Sequence, residues 1–509
     1  IMFIKIPSVA HSGLNSIGVD VEVNVMKKGL PSFDIVGLPA KVVDESRERV
    51  RAGISNSKIE FPRRRIIVNL APADVPKDGS CYDLPIATGI IASVLKLAIP
   101  EKSLFFGELS LNGELRHTKG ALPLALFAKE NGYENIFLPL LSANEAAVVE
   151  GVNVYPVKNL LQLIAFLTKA EQPERAKYRK QKESFFCEFD MEEILGQEEA
   201  KRALEIAAAG GHNLFMVGGP GSGKTMLARA FSGILPKLNE EESIEVTKIY
   251  SVSGNLPPGS SLIQNRPFRA PHHTISPIGL TGGGTRPRPG EVTLAHRGVL
   301  FLDELNEFQR SALEALRQPM ENGYVNISRS IESVVYPARY MFIAAANPCP
   351  CGYLNSEKKQ CSCTEREVEK YRKRVSGPML DRIDIHIEVP DVETKKLTAE
   401  EKKKANNEKS KEIRKRVEKA RELQKERFKN EDIFTNSEMK NKQIEKYASL
   451  SREVEDVLVN ASLEFHLSAR AYFKVIKVAR TIADLDESEK IKIEHIAEAL
   501  QYRLDELKK

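Results

Sequence analysis

The sequence contains no tryptophan, 7% aromatic residues and only six cysteines in 509 residues. It also lacks a strong charge of either sign, because its formal net charge is +5 at pH 7. So few cysteines in so long a chain argue against a secreted scaffold held together by disulfides. So small a net charge permits nucleic-acid binding without predicting it, and local clusters of basic residues must decide that question.

A membrane-spanning segment is also missing. The longest apolar run, Leu84 to Ala98, contains Lys96 and is shorter than the roughly 20 residues that cross a bilayer. The first residues show no basic segment followed by an apolar one, as a signal peptide would. We therefore expect a cytoplasmic protein with no membrane partner.

The length of the chain predicts two or three domains. Short β-branched runs alternate with helical patterns over residues 2–168, which indicates a mixed α/β domain. Residues 169–190 are polar and predict a linker. A second α/β domain is expected over 191–390, and residues 391–509 contain no convincing strand and predict a helical domain.

A glycine-rich loop follows the short apolar strand predicted at 214–217 and precedes a helical pattern. Glycines let backbone N–H groups surround the phosphates of ATP, while Lys224 would meet the β- and γ-phosphates and the Thr225 hydroxyl would hold Mg²⁺. This order of strand, loop and helix is the context that the motif requires. The expected nucleotide-binding residues are Gly218, Gly219, Pro220, Gly221, Ser222, Gly223, Lys224, Thr225 and Met226.

Two more apolar strands are predicted to end in polar residues. The strand over 298–302 is followed by Asp303, which can anchor the Mg²⁺ shell, and by Glu304, which can polarise the attacking water. The strand over 340–346 is followed by Asn347, whose side chain could orient that water near the γ-phosphate. Together these residues predict hydrolysis of ATP.

Two arginines complete the series. Arg382 stands beside a predicted strand in Leu380–Asp384, where a neighbouring subunit could receive it as an arginine finger. Arg470 opens a predicted C-terminal helix in Ser468–Arg470. The order of all these motifs resembles the AAA+ ring ATPases, and in particular the magnesium-chelatase motor subunit and the minichromosome-maintenance helicases.

That resemblance implies roles for individual residues. Asn347 corresponds to sensor 1, Arg382 to the finger that acts on the neighbouring subunit, and Arg470 to sensor 2. An adenine pocket is implied near Ile194, Gly196 and Gln197, and the assembly is implied to be a hexameric ring.

Over its whole length the chain resembles the ComM/YifB family of bacterial magnesium-chelatase-like ATPases. The stretches Arg266–Thr274 and Asn347–Gly352 carry this resemblance. It implies a hexameric DNA helicase that drives branch migration during homologous recombination of transforming DNA. Single-stranded or branched DNA is therefore the expected partner.

In the same relatives, residues 268–297 correspond to an insert that faces the ring channel, and residues 324–337 to a β-hairpin before sensor 1. The alternating pattern on both sides of Arg329 and Ser330 independently predicts that hairpin. Arginines there could follow a phosphate backbone, or they could pair with acids at subunit interfaces. The four candidates are Arg286, Arg288, Arg297 and Arg329.

The neighbouring histidines His272 and His273 could be metal ligands. Adjacent side chains rarely face the same way, so loop contacts or nucleic-acid contacts are favoured.

Four of the six cysteines lie close together in the sequence, in two Cys-x-Cys pairs separated by nine residues. Such crowding in a cytoplasmic protein predicts a structural Zn²⁺ held by thiolates, with an iron–sulfur or redox site and free thiols as alternatives. A metal there would brace a loop and would not be catalytic. The four residues are Cys349, Cys351, Cys361 and Cys363.

The N-terminal domain resembles the proteolytic domain of Lon through residues 76–84 and 107–113. The position of the Lon nucleophile holds Cys81, and the position of its lysine base holds Leu122. Ser80 and Lys119 lie nearby but out of register. A nucleophile needs a base within reach, so a degenerate, non-proteolytic domain is expected.

The leading hypothesis is thus an α/β protein with a Lon-protease-like N-terminal domain, an AAA+ core and a helical lid. It would act as a hexameric, ATP-hydrolysing DNA motor. An alternative is a magnesium-chelatase-like motor that remodels a protein partner. A third hypothesis, an ATP-dependent protease, is disfavoured by the missing dyad.

Overall fold

A computed structural model of the chain describes residues 2–26, 29–37, 40–75, 77, 79–178, 187–284, 287–328, 333–354, 356, 359–391 and 407–504. The chain forms two compact units. The first contains Ile1–Glu183 together with Glu240–Ile263, and the second contains Ser184–Asn239 together with Gln264–Lys509. The first unit is therefore discontinuous in sequence.

The N-terminal part of the first unit is mixed α/β, as predicted. Strands form where β-branched residues alternate with polar ones, and the helices carry apolar faces. The elements are β1 (Met2–Ser12), β2 (Asn15–Val25), β3 (Ser32–Val36), α1 (Ala40–Asn56), β4 (Arg65–Ala71), α2 (Asp83–Leu95), β5 (Ser103–Phe105), β6 (Glu108–Leu109), β7 (Leu115–Arg116), α3 (Ala121–Glu130), β8 (Asn135–Pro139), α4 (Leu140–Ala146), β9 (Asn153–Val157) and α5 (Leu160–Leu167).

Two sheets organise this unit. One has the order β1-β2-β4-β3, and a parallel sheet has the order β5-β8-β9. Every second residue of β2 from Val19 to Val25 is buried, so this strand turns one face to the core. Helix α2 lies on that face, and a Cβ at Gly89 would fall 2.5 Å from Cγ2 of Val23. A glycine at this position permits the close approach of helix and sheet.

The second unit begins with an α/β region and ends in helices. Three of its strands, Leu214–Gly218, Val299–Leu302 and Met341–Ala346, are short and apolar, as expected for strands in a sheet that is covered on both faces. The chain continues through α6 (Glu198–Gly210), β10 (Leu214–Gly218), α7 (Lys224–Ile234), α8 (Glu240–Ser253), β11 (Phe268–Arg269), α9 (Pro277–Thr281), β12 (Gly282–Gly283), β13 (Arg288–Pro289), α10 (Glu291–Leu294), β14 (Val299–Leu302), α11 (Arg310–Ala315), α12 (Arg317–Asn322), β15 (Tyr324–Ser328), β16 (Ser333–Pro337), β17 (Met341–Ala346), α13 (Glu365–Arg372), α14 (Gly377–Leu380), β18 (Ile385–Val389), α15 (Ser410–Arg427), α16 (Asn441–Tyr447), α17 (Arg452–Glu464), α18 (Ala469–Leu485) and α19 (Ile493–Leu504).

A five-stranded parallel sheet forms the centre of the second unit. Its order is β11-β14-β17-β10-β18, so β17 lies between β14 and β10. All residues of β14 and β17 are buried, because helices cover the sheet. Since the strands are parallel, their carboxyl ends meet at one edge. That edge collects the residues that follow β10, β14 and β17.

The C-terminal part of the second unit is helical, as predicted. Within the described residues its first helix is the charged α15, from Ser410 to Arg427. A buried Asp484 on α18 pairs with Arg427 of α15, whose Nη1 lies 2.8 Å from Oδ2. Every helix in the described part of the chain is too short or too polar to cross a bilayer.

Helix α8 belongs to the first unit although it follows α7 in sequence. The Ser251 hydroxyl accepts a hydrogen bond from the Gly120 N–H at 3.1 Å and donates one to the Glu145 carboxylate. Further along, the Gly259 N–H donates to the Leu141 carbonyl at 2.9 Å. Polar contacts within the first unit thus hold the segment Glu240–Ile263. The periodicity of the sequence does not show to which domain this segment belongs.

The buried Glu145 makes the stability of the first unit dependent on pH. Burial raises its pKa from 4.5 to about 7, against hydrogen bonds from Ser251 and Leu122. A carboxyl group whose pKa is raised in the folded state contributes its full stabilisation at a pH below its pKa in the unfolded chain. This contribution is lost as the pH rises through the folded-state pKa of about 7. The free energy of unfolding of Glu145→Gln, measured relative to that of wild type, should therefore increase by about 3 kcal/mol between pH 4.5 and pH 8.

Urea unfolding followed by hydrogen exchange of peptides from the first unit measures this difference. The control is the same variant at pH 4.5, where it should match wild type to within about 1 kcal/mol. If the free energies of unfolding of the variant and wild type differed by the same amount at pH 4.5 and pH 8, a protonated Glu145 in the folded protein would be contradicted.

Candidate nucleotide-binding site

The loop between β10 and α7 has the conformation that its glycines permit. Gly221 has a φ of +76° and Gly223 a φ of +95°, both in the left-handed region. A Cβ at either position would meet no atom within 4 Å, so backbone conformation and not crowding requires glycine there. The loop can therefore turn its N–H groups inward at the start of α7, where the helix dipole favours an anion.

Lys224 is buried beneath this loop. Its ammonium group donates to the carbonyls of Gly218 at 2.7 Å and Gly219 at 2.8 Å, and it lies 3.3 Å from Oδ1 of Asn347. Burial lowers the pKa of Lys224, while nearby Asp303 raises it. Because β17 is the neighbour of β10, the residue that ends β17 is brought directly to the lysine of the loop.

Thr225 and Asp303 meet at the same edge of the sheet. The Thr225 hydroxyl donates to Oδ2 of Asp303 at 2.6 Å. Oδ1 of Asp303 accepts the Glu304 N–H at 2.9 Å. A hydroxyl and a carboxylate are oxygen ligands of the kind that Mg²⁺ prefers, so this pair fits that ion.

Glu304 is exposed at the end of β14 in a left-handed conformation with a φ of +52°. Its side chain is 56% exposed, and Oε2 lies 3.3 Å from Nδ1 of His273. The His272 ring packs at a tilt against the His273 ring, with their centroids 4.0 Å apart. Of the alternatives for these histidines, a contact within the protein is the one present here, with Glu304 as the partner of His273.

The residues expected around adenine lie beside the same loop. Gln197 has a φ of +61°, and its Nε2 donates to the Pro390 carbonyl at 2.6 Å and lies 3.4 Å from the Ser222 carbonyl. Ile194 is buried, and its carbonyl accepts from Nδ2 of Asn407 at 3.2 Å. Met226 is half-buried on α7.

Arg382 and Arg470 share one acidic partner, Glu321. Nη2 of Arg382 lies 2.5 Å from Oε1 of Glu321, and Nη2 of Arg470 lies 3.2 Å from the same oxygen. Arg382 is 11% exposed whereas Arg470 is 60% exposed. No motif identifies Glu321, because its role arises only when three distant segments come together.

The segment that carries Arg382 is fixed by the buried Asp384. Oδ2 of Asp384 accepts the Asn213 N–H at 3.1 Å, and Oδ1 lies 3.0 Å from Nζ of Lys474 on α18. Burial opposes the ionisation of Asp384, but Lys474 and His212 outweigh it and hold its pKa well below the usual range. The position of Arg382 is thereby tied to β10 and to the C-terminal helices.

The four clustered cysteines converge in space. All four sulfurs lie within 4.8 Å of one another. The Sγ–Sγ distances are 3.4 Å for Cys349–Cys351, 3.7 Å for Cys349–Cys361 and 3.5 Å for Cys351–Cys361. Four sulfurs bound tetrahedrally to Zn²⁺ at about 2.3 Å lie about 3.8 Å apart, so the cluster fits a zinc ion.

The candidate DNA-binding arginines have different surroundings. Arg288 on β13 is exposed. Arg286 and Arg329 lie outside the described residues. Arg297 is buried, and its guanidinium carbon lies 4.3 Å from the centroid of the Phe434 ring. Its guanidinium therefore packs on protein rather than on an open surface.

The residues at the Lon-like positions do not form a nucleophile–base pair. Cys81 and Leu122 are both buried in the apolar core of the first unit. The Ser80 hydroxyl donates to the Glu108 carboxylate, and Lys77 donates to the Val75 carbonyl at 3.1 Å. Leu122 has no basic group, and the partner of the Ser80 hydroxyl is a carboxylate rather than a lysine.

The sheet order and the residues at its edge define the class of protein. A phosphate-binding loop follows β10, acidic residues follow β14, and β17, which precedes Asn347, lies between these two strands. This is the arrangement of an AAA+ ATPase, in which ATP and Mg²⁺ are the expected ligands.

Comparisons with known proteins agree with this class. Family models described as "Magnesium chelatase, subunit ChlI", "Subunit ChlI of Mg-chelatase" and "Magnesium chelatase, subunit ChlI C-terminal" match residues 190–397, 21–142 and 407–503. The chain is 41% identical to Competence protein ComM of Haemophilus influenzae, over 97% of this chain and 96% of that protein.

Two further relatives extend the comparison. The chain is 40% identical to the uncharacterized protein YifB of Escherichia coli over 97% of both chains. It is 25% identical to the magnesium-chelatase 38 kDa subunit of Rhodobacter capsulatus, over 31% of this chain and 50% of that subunit. The chain belongs to the ComM/YifB family of magnesium-chelatase-like AAA+ ATPases.

Proposed function

We propose that the protein is a hexameric ATP-hydrolysing motor that binds DNA and drives branch migration during homologous recombination of transforming DNA. The observation that carries the ATPase part is the convergence of Lys224, Thr225, Asp303, Glu304 and Asn347 at one edge of the parallel sheet. Groups from three strands meet there, as phosphoryl transfer requires.

Each of these residues would have a separate task. Lys224 would exchange the carbonyls of its own loop for the β- and γ-phosphates, because a phosphate is the stronger partner for an ammonium group. Thr225 and Asp303 would hold Mg²⁺, which neutralises phosphate charge when bound. Asn347 would orient the attacking water. Glu304 would accept its proton after its contact with His273 opens.

Nucleotide would bind between neighbouring subunits of a ring. Arg382 would reach the phosphates of the neighbouring site, and Arg470 would respond to the γ-phosphate. Glu321 now engages both side chains, so both must leave it when they bind nucleotide. Such head-to-tail contacts close into a ring when the rotation between subunits allows it.

DNA is the proposed substrate for two reasons. The chain matches a competence protein over 97% of its length. The antiparallel hairpin β15–β16 and the exposed Arg288 belong to the segments proposed to line the channel, together with Arg286 and Arg329. We propose a cytoplasmic location, and a non-proteolytic role for the first unit in assembly or substrate contact.

We further propose that the four clustered cysteines bind one structural Zn²⁺. Their short sulfur–sulfur distances support this, since unbridged thiols have no reason to converge from two separate Cys-x-Cys pairs. The zinc would brace the loop after Asn347 and would take no part in hydrolysis.

A fork-unwinding and branch-migration assay tests the proposed function. Wild-type protein with ATP should separate or migrate labelled DNA junctions, and single-stranded DNA should raise its ATPase rate. Lys224→Ala should be inactive in both assays because it lacks the phosphate contact. Binding should weaken as salt increases, with a slope set by the number of phosphates contacted. A DNA-independent ATPase rate without salt-sensitive binding would contradict the DNA motor.

The alternative is a motor that remodels a protein partner. It is supported by the match of three magnesium-chelatase family models and by the similarity to the 38 kDa subunit of that enzyme. An ATPase rate that responds to a captured protein and not to DNA would favour it.

A further inference from the structure

The loop that carries the four cysteines lies directly against the phosphate-binding loop. A Cβ placed on Gly352 would lie 2.6 Å from Cγ and Cδ of Pro220. A Cβ placed on Gly219 would lie 3.4 Å from the Gly352 carbonyl oxygen. Gly352 has a φ of +83°, a conformation that other residues adopt only with strain. The backbone after Cys351 is therefore in contact with the residues that would surround the phosphates.

A second connection joins the cysteines to the same site. Cys349 is fully buried and follows Asn347 by two residues, and Asn347 approaches the ammonium group of Lys224 to 3.3 Å. The carbonyl of Cys349 accepts the Gly352 N–H at 3.0 Å. Two residues that touch the nucleotide site, Asn347 and Gly352, thus lie on either side of two of the four cysteines.

The cysteines link the two ends of this loop. The described residues between β17 and α13 form no helix or strand, so no ladder of backbone hydrogen bonds holds them. The link between the two Cys-x-Cys pairs comes from their sulfurs and from the Cys351 N–H, which donates to Sγ of Cys363 at 3.4 Å. A metal bound by these sulfurs would cross-link the two ends of the loop.

We propose that a zinc ion held by Cys349, Cys351, Cys361 and Cys363 fixes this loop against Pro220 and so sets the affinity of the phosphate-binding loop for nucleotide. The inference rests on the proposed function, because it requires that ATP binds at that loop. If zinc and nucleotide favour the same loop conformation, each must strengthen the binding of the other by the same factor. This reciprocity supplies a test that does not depend on hydrolysis.

The experiment uses the full-length protein in three states: zinc-loaded, chelated, and chelated with zinc added back. Metal content is measured by plasma mass spectrometry and the Kd of a fluorescent ATP analogue by titration. We expect about one zinc per chain, an increase in Kd of about tenfold after chelation and recovery after zinc is returned. The analogue should in turn lower the Kd for zinc by a matching factor, which equilibrium competition with a chromophoric chelator measures.

Two variants separate the metal from the contact that transmits its effect. Cys361→Ser with Cys363→Ser should lose zinc and weaken nucleotide binding together. Gly352→Ala should keep zinc and still weaken nucleotide binding, because the added methyl group presses on Pro220. Cys187→Ser is the matched control, since Cys187 lies in the same unit outside the cluster, and it should change neither value.

The chelation series needs no mutation and remains decisive if the cysteine variants fail to fold. A protein that takes up no zinc overturns the inference and leaves the ATPase proposal intact. A protein that binds and releases zinc with an unchanged Kd for nucleotide overturns the coupling alone. A zinc-loaded protein that binds no nucleotide overturns the proposed function, and this inference with it.

Discussion

Glu304→Gln should reduce the rate of ATP hydrolysis by about 100-fold or more while ATP still binds. Glutamine keeps the size of the side chain and its contact with His273 but cannot accept a proton from water. Lys224, Thr225 and Asp303 remain in place, so the contacts proposed to hold the phosphates and Mg²⁺ are unchanged. The variant should therefore accumulate ATP-bound protein, which single-turnover hydrolysis and equilibrium binding measure separately.

Glu307→Gln provides a matched control for this variant. Glu307 lies three residues further along and pairs with Arg374, where the carboxylate oxygen and Nη1 are 2.9 Å apart. Its replacement should leave hydrolysis within about twofold of wild type, because surface ion pairs contribute little. If Glu304→Gln retained the wild-type rate, Glu304 would not be the base, and the proposed chemistry at the end of β14 would be wrong.

The core of the nucleotide site was predictable because each of its motifs directly follows an apolar stretch that the sequence identifies as a strand. A loop that follows one buried strand, acids that follow a second and an asparagine that follows a third must meet if the strands are parallel. The contacts of Lys224 with Asn347 and of Thr225 with Asp303 are the result. The C-terminal helix predicted at Arg470 likewise forms as α18.

Other features were beyond the sequence because they depend on contacts between distant segments. The segment that contains helix α8 joins the first unit through Ser251 of the helix and through Gly259 beyond it, although the neighbouring segments of the chain belong to the second unit. Arg297 was expected in a channel but is buried against Phe434, more than 130 residues later in the chain. Nothing in the sequence distinguishes Glu321 from the other acidic residues, of which the chain has 70 in all. Its role is visible only in the fold, where Arg382 and Arg470 both contact it.

Arg382→Ala should reduce hydrolysis by about 1,000-fold and leave the Kd for ATP within about threefold of wild type. The reason is that Arg382 is bonded to Glu321 and the Pro378 carbonyl of its own subunit, away from the contacts of Lys224. A finger that acts on the neighbouring site stabilises the transition state there and contributes little to binding of the ground state. Arg382→Lys should also be impaired, because lysine lacks the planar fork of arginine. Arg366→Ala, an exposed arginine of α13, is the matched control and should keep the wild-type rate.

Mixed rings distinguish a finger that acts on its neighbour from an arginine that serves its own subunit. Lys224→Ala and Arg382→Ala should each be inactive alone, yet a Lys224→Ala subunit still offers Arg382 to the intact phosphate-binding loop of an Arg382→Ala subunit. Random mixing in equal amounts makes about a quarter of the interfaces competent, so up to about a quarter of the wild-type ATPase rate should return. No recovery in rings shown by co-purification of two differently tagged subunits to contain both would mean that Arg382 acts within its own subunit. In that event its bond to Glu321 would be a structural contact, and the ring mechanism would need a different finger.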